Sequence, residues 1–128
     1  MPDLQPVDMA THPYLSGRFA PVTDEIEVTG LEVEGTLPDG LVGAYLRNGP
    51  NEMFPPLGSY SFPMEGDAMV HGVWLDGEGG ARYKNRWVRT RGMAADVAAG
   101  RDVFGGLMSP AFVDPALLGD DPDPGWPF

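Results

Sequence analysis

The 128 residues carry a net charge of −11, which argues against nonspecific attraction to nucleic acid or to an anionic membrane. There is no cysteine, which excludes a disulfide framework and any thiolate metal site. Glycine and proline, 18 and 14 residues, make up a quarter of the chain, and many of them punctuate short apolar runs as turn residues do, so the middle reads as loop-rich β structure.

Residues 1–24 hold four prolines and no sustained period, and read as an extended N-terminal arm. A loose terminus is the expectation there, with Tyr14 and Phe19 available to pin it. The opening residues show neither a basic stretch nor an apolar run of the kind a signal peptide needs, and no apolar run approaches membrane-spanning length. Cytoplasmic residence is the corresponding expectation.

Residues 25–107 read as strands. EIEVTGLEVEGTL alternates apolar and acidic side chains, which predicts a half-buried strand over 25–37 with a bend at Gly30. Pro38-Asp39-Gly40 supplies a turn, and the apolar run Leu41 to Leu46 leads into YLRNGPNEMFPP, residues 45–56. Ala68 to Leu75 is apolar on both parities except at His71, so it suits a strand covered on both faces. Asp76 to Gly80 (DGEGG) is a loop and Ala81 to Val88 a return strand, together a β-hairpin over 68–88. Arg82, Lys84 and Arg86 share one of its faces; Tyr83 and Trp87 share the other. MAADVAAG predicts one or two helical turns stopped by Gly100. Residues 108–128 are proline-rich and acidic and read as a loop-rich, truncated tail. The expected class is all-β. Strands that want partners on two faces imply either an oligomer or part of a larger β structure.

His12 and His71 are the only histidines, and a histidine metal site needs several imidazoles, or imidazoles with carboxylates, on one ion. Asp67 and His71 share parity but sit about 13 Å apart along an extended strand. His71 is therefore expected to be a structural, hydrogen-bonded histidine, and His12 no ligand. Glu65-Gly66-Asp67, just before a strand, suits carboxylates bonded to turn amides better than an acid–base pair. Arg82 to Arg91 holds five of the eight basic residues with aromatics between them, a nucleic-acid pattern on its face. The acidic balance favours instead a solvated row, or one paired with Glu32 and Glu34 on a neighbouring strand. Arg47, Asn48, Gly49, Pro50 and Asn51 read as a rigid corner: a guanidinium that forks onto nearby oxygens, and asparagines suited to Asx-turns or left-handed backbone.

YLRNGPNEMFPP followed by MEGDAMVHGVWLDGEGGARYKNRWVRT resembles the N-terminal part of the carotenoid cleavage oxygenases, a family that includes apocarotenoid and stilbene dioxygenases and the retinal pigment epithelium isomerase. The lead-in LEVEGTLPDGLVGAYLRNGPN is similar as well, and the resemblance runs from about Ile26 to Leu107. It implies the N-terminal segment of a seven-bladed β-propeller. It also implies a non-haem Fe(II) held by four histidines, and cleavage of a conjugated C=C bond by O2 in an apolar polyene or stilbene. Glu52 departs from the usual proline, Met64 from phenylalanine or leucine, and Ala68 from a common glycine. The family's iron histidines are expected beyond Phe128, so no catalytic or metal residue is carried over. Arg47, Asn48, Gly49, Pro50, Asn51, Gly66, Asp67 and His71 are expected as structural motif residues. On this reading the chain alone binds no iron and is inactive, and no nucleic-acid partner is expected. The alternative is a free-standing, noncatalytic β interaction module.

Overall fold

The computed structural model describes residues 4–61, 63–106 and 108. They belong to two compact units interleaved along the chain. A sheet unit comprises Thr23–Gly49 and Ala68–Val88. A helix unit comprises the described parts of Met1–Val22, Pro50–Asp67 and Arg89–Phe128.

Four strands form one sheet: β1 (Glu27–Val28), β2 (Val42–Pro50), β3 (Ala68–Asp76) and β4 (Ala81–Trp87), in the order β1-β4-β3-β2. β3 and β4 pair antiparallel from Met69↔Trp87 to Leu75↔Ala81. The loop between them is tied by Asp76, whose carboxylate accepts from the backbone N–H of Glu78 (2.8 Å) and Gly80 (2.9 Å). Those two bonds hold its pKa below the usual carboxylate range. Gly77 and Gly79 take the positive φ that the tight return needs.

The two-residue period puts Met69, His71 and Val73 on one face with Tyr83, Asn85 and Trp87. Met69 and Asn85 on this face are the largest fully buried side chains among the described residues. Asn85 is only 1% exposed because its amide is used up. It accepts from Ile26 N–H (2.6 Å), donates to Asp24 C=O (2.9 Å), and lies 3.1 Å from Met69 Sδ.

The strand expected over 25–37 shrinks to Glu27–Val28, paired with Lys84 and Tyr83 of β4. Gly30, at φ +65, takes the chain out of extended geometry, and Gly35 at φ +90 does so again. One further bond, Leu31 N–H to Ala81 C=O at 2.9 Å, follows the first break. Alternation in sequence therefore outlasts pairing. β2 is the outer strand at the other edge, and Val42, Tyr45 and Leu46 are 72%, 70% and 60% exposed, so apolar side chains of both parities stand open.

In the helix unit, α1 spans Arg91–Ala99. It starts two residues before Met93 because Thr90 caps it, its hydroxyl accepting from Met93 N–H (3.1 Å). Gly100 closes it in the left-handed conformation. Residues 5–7, in the stretch where a loose terminus is the expectation, pair with the chain around Leu57. Val7 N–H donates to Pro56 C=O (2.8 Å) and Gly58 N–H to Gln5 C=O (2.9 Å), around a bridge between Pro6 and Leu57. Leu15 is buried while Tyr14 and Phe19 stay exposed, so backbone pairing and Leu15 do the pinning. The tail from Pro110 to Phe128 lies outside the described residues.

Candidate functional site

Arg47, Asn48, Gly49 and Pro50 form the second half of β2. The Arg47 guanidinium lies along its own strand: a β-carbon at Gly49 would meet it at 3.5 Å. Neither Asn48 nor Asn51 takes a positive φ. Asn51 forms a long-range clamp instead of a local turn. It is buried, its Oδ1 accepts from Val22 N–H (2.7 Å), its Nδ2 donates to Val22 C=O (2.8 Å), and its own N–H donates to Asp67 C=O (2.7 Å).

The Glu65-Gly66-Asp67 turn binds amides. Asp67 Oδ2 accepts from Met53 N–H (3.3 Å), and Glu65 Oε1 accepts from the backbone N–H (3.2 Å) and hydroxyl (2.7 Å) of Ser61. Two more acids fasten the same unit. Asp96 on α1 holds Val103 N–H (2.9 Å), and Asp102 holds Leu57 N–H (2.8 Å) and Phe104 N–H (3.0 Å). Glu52 is buried among these carboxyls, and burial reinforced by Asp67, Asp102, Asp96 and Glu65 pushes its pKa up to about 8. Burial is also the main reason that Asp96 rises to about 7 and Asp67 upward. The sequence signal for this cluster is one residue wide: a glutamate where the family pattern has proline. Asp96 and Asp102 carry no signal until folding brings them near.

His71 stands mid-β3 with its Nδ1 2.6 Å from the Tyr83 hydroxyl. Partial burial and the nearby Arg47 charge lower its pKa. On the opposite face, Arg82, Lys84 and Arg86 converge on Glu27 at 3.6, 3.4 and 3.6 Å, not on Glu32 and Glu34. Strand β1 ends at Val28, before the later glutamates, and among the described residues neither of them makes an ion pair with the cationic row. Arg82 also covers the Trp74 ring at 4.5 Å. An open cleft of about 370 Å³ beside Trp74 and Arg82 has Asp76 as its only acid, and that carboxylate serves the hairpin loop.

Among the described residues, no three His, Asp or Glu side chains are grouped to hold a metal. The chain's two histidines cannot furnish the four-imidazole set that the resemblance implies, and His71 has one ring nitrogen engaged with Tyr83. The residues present do not fit the iron.

Residues 19–123 match the family described as retinal pigment epithelial membrane protein. The chain is 49% identical over 85 residues to a carotenoid cleavage oxygenase of Mycobacterium tuberculosis, covering 66% of this chain and 17% of that protein. It is 41% identical over 100 residues to a chloroplastic 9-cis-epoxycarotenoid dioxygenase of Arabidopsis thaliana, covering 78% and 17%. The chain thus spans about a sixth of the length of the curated relatives it matches. Among solved structures, the lignostilbene dioxygenase of Pseudomonas brassicacearum superposes with a TM-score of 0.71 at 30% identity, over 77% of this chain and 21% of that one. A variant of the Synechocystis apocarotenoid oxygenase gives 0.59 at 31%, over 72% and 20%. The fold is an all-β segment of the propeller to which these neighbours belong.

Proposed function

This chain belongs to the retinal pigment epithelial membrane protein family, that of the carotenoid cleavage oxygenases, and from that membership we propose that its residues are scaffold in an iron-dependent dioxygenase. The reaction proposed for the whole protein is oxidative cleavage of one conjugated C=C bond in a carotenoid, apocarotenoid or stilbene. One O2 is consumed and each carbon of the broken bond leaves as a carbonyl. The observation that carries this reading is the 49% identity over 85 residues to a carotenoid cleavage oxygenase. Within the scaffold, Arg47 to Asn51, Gly66, Asp67 and His71 set corners and hydrogen bonds, and none is assigned a catalytic or metal role.

The test is a product assay. The protein expressed from its own gene is supplied with Fe(II) and offered a carotenoid, an apocarotenoid and a hydroxystilbene under isotopically labelled O2. Labelled carbonyl fragments from at least one substrate are expected; intact substrates in every case would overturn the dioxygenase reading. Residues 1–128 purified alone are expected to yield no fragments. A sharp, cooperative unfolding transition of that 128-residue chain would instead favour a free-standing β module. Its open β2 edge, without the closure a propeller provides, argues for aggregation.

A further inference from the structure

The YLRNGPNEMFPP motif holds an Asn-Gly step, Asn48-Gly49, and the local geometry does not call for glycine there. Gly49 does not take a positive φ, and a β-carbon on it would meet the Arg47 guanidinium at an ordinary 3.5 Å. Asn48 is exposed on β2, the outer strand of the sheet, and its carboxamide has no hydrogen-bond partner among the described residues.

The other two asparagines differ on each count. Asn51 precedes Glu52 and is buried, with both ends of its amide on Val22 at 2.7 and 2.8 Å. Asn85 precedes Arg86 and is 1% exposed, its amide held by Ile26 and Asp24 at 2.6 and 2.9 Å. The two Asp-Gly steps of the chain are also tied. The Gly40 N–H donates to Gly77 C=O at 3.0 Å, and the Asp76 carboxylate accepts from the N–H groups of Glu78 and Gly80.

We propose that Asn48 is a site of spontaneous covalent modification: it deamidates through a cyclic imide to aspartate and isoaspartate. The Gly49 backbone nitrogen attacks Asn48 Cγ. A C–N bond forms, the Cγ–Nδ2 bond breaks, and ammonia leaves with the proton of the Gly49 N–H. Water then opens the ring at either carbonyl. One cut restores the ordinary backbone as aspartate, and the other routes the backbone through the side chain as isoaspartate. Glycine obstructs the attacking nitrogen least, because it has no β-carbon. The extended backbone of β2 holds that nitrogen away from Cγ, so attack waits for local opening of the strand, and an outer strand opens more readily than an inner one. Folding therefore slows the reaction without abolishing it. Either product sets a carboxylate next in sequence to Arg47. The isoaspartyl form also lengthens the backbone by a methylene just before Gly49, Pro50 and the Asn51 clamp.

The test incubates the intact protein, expressed from its own gene, in mildly alkaline water carrying heavy oxygen, and locates the products by peptide fragmentation. Residue 48 is expected to gain the mass difference between an amide and an acid together with a labelled oxygen. It is also expected to accept a methyl group from an isoaspartate-specific carboxyl methyltransferase. Asn51 and Asn85 are expected to stay intact over the same interval, and Asn48 to convert faster when the same protein is unfolded in urea. Gly49→Ala, compared in urea so that its folding does not matter, is expected to suppress the conversion. Conversion in urea with none in the folded protein would overturn the proposal. So would ammonia lost from Asn51 or Asn85 before Asn48 in the folded protein, or conversion in Gly49→Ala as fast as in the wild type.

Discussion

Asn51 grips the backbone of Val22 with both ends of its amide, accepting its N–H at 2.7 Å and donating to its C=O at 2.8 Å. This two-point clamp joins residues 29 apart in sequence, and its N–H reaches Asp67 C=O as well. The last position of the RNGPN motif is therefore a joint between segments of the helix unit.

Asn51→Ala is expected to destabilise that unit by about 1–2 kcal/mol, because it removes two hydrogen bonds to the backbone of the exposed Val22. Asn51→Asp keeps the acceptor, loses the donor, and is not expected to restore stability. Urea unfolding of the three proteins measures this. A variant as stable as the wild type would show that Val22 finds other partners.

Gly66→Ala is expected to cost about 1–3 kcal/mol, since its β-carbon would overlap the Glu52 carboxyl. Most of that cost should vanish when Glu52→Ala is already present. The double-mutant cycle reads the coupling directly. Equal costs in both backgrounds would mean that Gly66 answers to the backbone and not to Glu52.

His71 is expected to titrate below the ordinary 6.5, as partial burial and Arg47 both disfavour its cation. The sign follows. The folded pKa is lower than the unfolded one, so the stabilising contribution is full above about 6.5 and is lost as pH falls through the folded value. Arg47→Ala should move the His71 midpoint upward in an NMR titration. Tyr83→Phe, which removes the 2.6 Å partner of Nδ1, should cost about 1 kcal/mol at neutral pH. An unmoved midpoint in Arg47→Ala would remove the arginine from the explanation.

The hairpin was legible because three local signals agree there: parity on both strands, the DGEGG loop, and aromatics set against cations. The alternation over 25–37 misled because glycines decide where an extended chain turns, and Gly30 and Gly35 take positive φ after only two paired residues. By residue type Arg47 to Asn51 read as a corner, but the first four extend β2 and the partner of Asn51 lies 29 residues earlier, where no local rule reaches. Glu52 stood out as a departure from the family pattern. The charges of Asp96 and Asp102 act on it from some 44 and 50 residues later, so only the folded chain shows a buried carboxyl influenced by other carboxyls.

If these 128 residues are scaffold, as proposed, they do not form the iron site. Anaerobic dialysis of the purified chain against Fe(II), followed by elemental analysis, tests it most directly. Iron far below one per chain is expected. One tightly held iron per chain would contradict the claim and require a ligand set that two histidines and the described carboxylates do not supply.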